Sequence, residues 1–117
     1  MALGIEILCD FYNCNKEKMS DKNEIEKIII KAVEESGATI IETKLFLFSP
    51  YGLTGLIIIT ESHFSIHTWP EHGYIAIDYF TCNEKLDLSK TIEILKNYFE
   101  PENIDIKKIS RGEIQPR

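Results

Sequence analysis

Between residues 38 and 82 the chain passes through four strand-like segments, the first two apolar or β-branched, with almost nothing between them, and this limits its fold more than any other feature. The segments are ATIIETKLFLF at 38–48, LTGLIIIT at 53–60, SHFSIHT at 62–68 and YIAIDYFTC at 74–82. SPYG joins the first pair and WPEHG the second, each with a proline and a glycine at the bend. A parallel crossover needs a dozen or more residues, so strands joined this closely must lie antiparallel.

Helical patterns stand on either side of this block. Asp21 followed by Glu24 opens the first, a capping-box-like start in which Asp replaces Ser or Thr. Ile25, Ile28, Ile29, Ala32 and Val33 then recur at helical spacing, and Gly37 ends the pattern after roughly 15 residues. The second, LDLSKTIEILKNYFEP, has Asp87 or Ser89 as its cap, a stripe of Ile92, Leu95 and Phe99, and Pro101 as its stop. GIEILCDFY at 4–12 alternates as a first strand, with Ile5, Ile7, Cys9 and Phe11 on one face, and a short last strand lies near NIDIKKI. The order β-α-β-β-β-β-α-β predicts a single α+β domain, a two-layer sandwich of an antiparallel sheet with two helices on one face. The other face is left bare, and a homo-oligomer would cover it.

Composition narrows the function. A net charge of -6 argues against nucleic acid and anionic membranes as partners. No apolar run approaches the length of a membrane span, and MALGIEILCDFYNC has no basic lead into an export-type segment. Cys9, Cys14 and Cys82 lack a metal-ligand spacing, so a reduced, cytoplasmic setting is expected.

Residues 61–72, ESHFSIHTWPEH, crowd Ser62, three histidines, Trp69 and two acids between two core strands. If the second hairpin turns near Glu71, Cys82 falls opposite residues 60–62 and His67 opposite about Ile75, which gathers Ser62, His67 and Cys82 into one neighbourhood. The two-residue period of a strand nevertheless sends Ser62 and His67 to opposite faces, unless the chain bends, bulges or is cut near Ser62.

The segment ESHFSIHTWPEHGYIAIDYFTC resembles the centre of prokaryotic S-adenosylmethionine decarboxylase proenzymes. PYGLTG before it, GIEILCDFYNC, EESGATI and the RG near the end fit the same family, so the resemblance runs through nearly the whole chain. It implies a pyruvoyl-dependent enzyme that cuts itself between Glu61 and Ser62, giving a β chain of residues 1–61 and an α chain of residues 62–117. Ser62 would become the pyruvoyl group, the only cofactor implied, with no metal. That group would form a Schiff base with the amine of S-adenosylmethionine, and CO2 would leave to give the aminopropyl donor of spermidine and polyamine synthesis.

Further roles come from the same resemblance. His67 is similar to the family's processing base, Cys82 to its catalytic proton donor, and Thr54 to a serine whose hydroxyl assists processing. Phe48, Trp69 and Glu71 are the implied substrate-binding residues, two aromatic faces and a carboxylate. A homodimer of cut protomers is implied, with active sites near the subunit boundary. Glu6 and Phe46 stand where many relatives have histidine, which leaves open a related arginine or ornithine decarboxylase.

Taken singly, each residue has a plainer reading. Ser62 is a strand serine, His67 a hydrogen-bonded structural histidine, and Cys82 a small packing residue. Thr54 flanks a turn, Phe48 and Trp69 are core, Glu71 and His72 are solvated, Cys9 packs, and Cys14 is a surface thiol. Two rival classes follow: a metal module using His63, His67 and His72, and a non-catalytic small-molecule-binding domain on the same fold. The spacing of Ser62, His67 and Cys82 favours the enzyme.

Overall fold

Alternation of apolar and polar residues produces six strands, which the computed structural model assembles into one antiparallel sheet over the described residues 2–115. Strand β1 spans Ala2–Tyr12, β2 Ile40–Leu47, β3 Leu53–Ile59, β4 Ser62–Trp69, β5 Tyr74–Thr81 and β6 Asn103–Glu113. Their spatial order is β2-β3-β4-β5-β1-β6. Helix α1, Lys22–Glu34, precedes β2, and helix α2, Leu88–Phe99, precedes β6. The expected element order holds. The two terminal strands are longer than their apolar runs suggested, because β1 and β6 pair with each other from Ala2–Glu113 to Tyr12–Asn103. Backbone pairing carries them past the residues that patterning marks.

The helix boundaries follow from capping chemistry. The Asp21 carboxylate accepts the Glu24 N–H at 3.1 Å, and Asp87 accepts the Lys90 N–H at 3.1 Å. Each satisfies a donor that the first helical turn leaves without a partner. Helix α1 ends at Glu34, and Gly37 follows at φ +97°, a conformation that suits a residue without Cβ.

Ile25, Ile29, Ala32 and Val33 of α1 join Ile92, Leu95 and Phe99 of α2 in one core with Phe11, Ile57, Phe64, Ile66, Ile77 and Tyr79 of the sheet. Gly55 lets α1 approach closely: a Cβ there would lie 2.9 Å from Ile66 Cγ2 and 3.3 Å from Ile29 Cδ1. The Thr91 hydroxyl donates to the Ala32 carbonyl at 2.7 Å, tying the helices together. Cys14, expected at the surface, is instead 7% exposed, because its N–H donates to the Gly73 carbonyl and draws the loop after β1 under the β4–β5 turn.

Both helices lie on one face, as expected. The opposite face carries Leu8, Phe46, Leu56, Ile58, Trp69 and Ile109, all exposed. Sequence neighbours therefore have different energetic weight. At dilutions where one copy stands alone, Ile57→Ala is expected to lose about 2–5 kcal/mol in urea denaturation, and Ile58→Ala, on the bare face, less than about half of that. Equal losses would contradict the one-sided core.

Candidate active site

Strand β3 passes into β4 through a two-residue turn, Thr60–Glu61, with Ile59 paired to Ser62. Such turns favour Asn or Gly, and this one has neither. The compromise falls on the next residue: Ser62 has φ 146°, which for a residue with a side chain costs about 1–3 kcal/mol. The Thr60 N–H donates to the Thr39 carbonyl at 3.0 Å, and the Thr39 N–H donates to Glu61 Oε1 at 3.3 Å. The Thr60 hydroxyl, with smaller help from that N–H, holds the Glu61 carboxyl below its ordinary range.

The Glu61 carbonyl, half of the Glu61–Ser62 bond, is gripped from β5. The Cys82 N–H donates to it at 3.0 Å and the Cys82 thiol at 3.4 Å. Two donors on one carbonyl oxygen favour charge there, the requirement for any addition to that carbon. A cavity of about 700 Å3, lined by Leu3, Ile5, Thr81 and Asn83, opens beside Cys82. The expected placement of Cys82 opposite residues 60–62 is what the structure has.

A second constellation lies near the other end of β4. Thr54 faces His67 across the β3–β4 ladder, with Oγ1 and Nδ1 3.0 Å apart. Both line a cavity of about 350 Å3 together with Phe48, Trp69 and Glu71. Phe48 packs edge-on to Phe46 with centroids 4.8 Å apart, and Trp69 lies 5.2 Å from the Tyr74 ring. The chain thus brings together the threonine, the histidine and the three residues read as substrate-binding.

The gathering of Ser62, His67 and Cys82 into one neighbourhood is corrected. His67 lies opposite Ala76 and Ser62 opposite Thr81, five residues apart on one regular strand, or about 16 Å. The irregularity foreseen at Ser62 exists, but it turns only the residue at the hairpin and does not fold the strand back. One chain therefore holds these residues in two separate groups, Ser62 with Cys82 and Thr54 with His67.

The histidines do not converge on a common point. His63 Nε2 lies 3.8 Å from Asp78 Oδ2, His67 is on Thr54, and His72 is exposed in the turn after Trp69. Among the described residues no group of three His, Cys, Asp or Glu is arranged to hold a metal ion, and no helix is long and apolar enough to cross a membrane. Glu6 accepts a 3.0 Å hydrogen bond from Arg111 and sits against Asp78, so its carboxyl group is engaged within the chain. Sequence reasoning missed the strained two-residue turn, which carries no Gly, Pro or Asn to mark it. It also missed the Arg111–Glu6 pair, whose members are 105 positions apart.

The sequence model of the family described as S-adenosylmethionine decarboxylase matches residues 5–112. An S-adenosylmethionine decarboxylase proenzyme of Methanococcus maripaludis is 43% identical over 113 residues, covering 97% of this chain and 93% of its own. One of Thermosipho melanesiensis is 40% identical over 95% of this chain and 85% of its own. The crystal structure of adenosylmethionine decarboxylase from Aquifex aeolicus superimposes with a TM-score of 0.90 at 31% identity, covering 99% of this chain and 96% of that one. A monomer from Trypanosoma brucei shares the fold at a TM-score of 0.62 and 21% identity, with this chain spanning 44% of its length.

The three thiols differ sharply. Burial pushes Cys9 up to about 12 and Cys14 up to about 11, whereas Cys82 is exposed. Iodoacetamide at pH 8 should therefore alkylate Cys82 alone in the folded chain and all three in urea. Peptide mass mapping that finds Cys9 or Cys14 labelled as fast as Cys82 would contradict this packing.

Proposed function

The chain belongs to the S-adenosylmethionine decarboxylase family, and from that membership and the grip on the Glu61 carbonyl we propose a self-cutting decarboxylase of S-adenosylmethionine. The observation that carries the reading is the strained Ser62 beside a carbonyl held by two Cys82 donors. The Ser62 hydroxyl adds to the Glu61 carbonyl carbon, the C–N bond breaks, and an ester replaces the amide. The Cys82 N–H and thiol lie where the developing oxyanion needs them, and scission frees Ser62 from its positive φ. Loss of the Ser62 α-proton expels the Glu61 carboxylate and leaves dehydroalanine. Its imine tautomer then takes up water and releases ammonia, leaving a pyruvoyl group at the head of residues 62–117.

That group supplies a carbonyl to condense with the substrate amine and to accept the electron pair left when CO2 departs. Cys82 is the proton donor to the carbon that lost CO2. The Phe48 and Trp69 rings provide faces for the planar, cationic substrate, and Glu71 provides a carboxylate for its polar edge. The product is the aminopropyl donor for polyamine synthesis, made by a cytoplasmic enzyme. Glu6 is already paired with Arg111, which removes the reason to prefer a basic amino acid such as arginine or ornithine as substrate.

The base for the α-proton step is His67, with Thr54 at its ring nitrogen. About 16 Å separates it from Ser62 in its own chain, so the working site is shared by two copies. A two-fold partner on the bare sheet face, turned end for end, sets Ser62 and Cys82 of one chain against His67 of the partner subunit. The exposed Leu56, Ile58 and Trp69 give that face its apolar contact.

Ser62→Ala should remain one intact chain by mass spectrometry, without activity, and normal scission would overturn the assignment. Cys82→Ala should still cut at least partly and lose most CO2 release, and full activity would remove Cys82 from the site. CO2 release measured on S-adenosylmethionine, arginine and ornithine in parallel should favour the first. None from any of them, with an uncut chain, would indicate a non-catalytic domain. His67→Ala alone should stay largely uncut, yet co-expression with Ser62→Ala should restore its scission, since a mixed dimer rebuilds one complete site. Absence of that rescue would refute the shared site.

A further inference from the structure

We propose that Glu6 and Asp78 are positioning residues for the chemistry at Ser62, a carboxylic acid and a carboxylate that share one proton and hold His63 in place. This rests on the reading of Ser62 as the reacting residue. Asp78 Oδ2 faces His63 Nε2 at 3.8 Å, and Asp78 Oδ1 is buried with no hydrogen-bond partner. A buried carboxylate oxygen left without a donor is costly. Glu6 is opposite Phe80 and Asp78 is two positions along β5, so both carboxyls lie on the bare face within hydrogen-bonding reach. One Glu6 oxygen is occupied by Arg111 Nη1 at 3.0 Å, and the Glu6 side chain is only 13% exposed. A proton on the other Glu6 oxygen supplies the donor that Asp78 Oδ1 lacks.

Asp78, and after it burial, hold the Glu6 carboxyl above its ordinary range, in keeping with a retained proton. Arg111 limits the rise and is itself stacked on Phe80, 5.2 Å from the ring. A network therefore crosses four strands, from Arg111 on β6 through Glu6 and Asp78 to His63 on β4. Its end matters because scission makes residue 62 a chain terminus, and strand termini fray unless a neighbour is tied down. His63 is the first side chain after the cut, held by Asp78 and by the Phe80 ring at 6.0 Å.

The other charged or titratable groups on this face include Asp10 from β1, engaged by the Tyr74 hydroxyl, Asp105 and Lys107 from β6, His67 from β4, and Glu42 and Lys44 on the more distant β2. The sign follows from the raised Glu6 value. The pair is intact while Glu6 keeps its proton and is lost as pH rises through the folded-state value, when two carboxylates face each other. Decarboxylation should decline on the alkaline side for this reason.

The test compares wild type, E6Q, E6A and D78N by steady-state CO2 release from S-adenosylmethionine across pH, beside carbon-13 carboxyl NMR of the uncut Ser62→Ala chain. A glutamine amide can donate to Asp78 while its carbonyl accepts from Arg111, without titrating. E6A and D78N should lower kcat about tenfold and change KM by less than about twofold. E6Q should restore most of what E6A loses and flatten the alkaline limb. In the uncut chain, the Glu6 carboxyl should titrate above the ordinary range and move down in D78N. Superimposable profiles for E6Q and E6A, a wild-type alkaline limb retained in E6Q, or a Glu6 carboxyl titrating normally would each overturn the proposal. If even wild type releases no CO2, the functional reading fails, and the NMR titration alone decides whether the pair exists.

Discussion

The register of β4 against β5 is the constraint on which the chemistry depends. Pro70 and Gly73 close the turn between them, with Gly73 in the left-handed region at φ 63°. Pairing then runs from Trp69–Tyr74 to Ser62–Thr81, which sets the Cys82 N–H against the Glu61 carbonyl. A slip of one residue would turn Phe64 and Ile66 out of the core and move Cys82 off the Glu61–Ser62 bond together. The burial that stabilises the sheet therefore also fixes the geometry around the Glu61–Ser62 bond. A strained Ser62 persists because the surrounding ladder over-determines it.

The two faces of the sheet divide the labour. Helices α1 and α2 cover one face with apolar stripes, and the positions of opposite parity are left to carry Glu6, Asp78, His63, His67 and Thr54. An uncovered face of this kind can hold polar groups close together only because neighbouring strands stand under 5 Å apart. It also leaves apolar side chains without cover, and a second copy would relieve that exposure while completing each half-site. Stability and the proposed chemistry call for the same partner.

Much of this was legible in the chain. Helix ends could be read from Asp21, Asp87 and Gly37, because caps are satisfied by residues a few positions away. The β4–β5 register could be read from WPEHG, because a tight turn fixes pairing by counting. The length of β6 was not legible, since Lys107, Lys108 and Arg111 carry no strand pattern and are ordered only by pairing with β1. Cys14 was misread for a related reason: its burial depends on Gly73, 59 positions later in the sequence, and no local periodicity reports on such a contact.

The order of elements, the two-layer architecture and the meeting of Cys82 with the Glu61–Ser62 bond were determined by sequence alone. Each rests on period, caps or turn length, all of which are local quantities. The tertiary structure decided that His67 stands apart from Ser62 in its own chain, that the Glu61–Ser62 bond lies in a strained turn, and that Glu6 meets Asp78 and Arg111. Those facts depend on straightness of a strand, on where backbone strain accumulates, and on which strands become neighbours across the sheet. Residue types do not encode such relations until the whole sheet has closed around them.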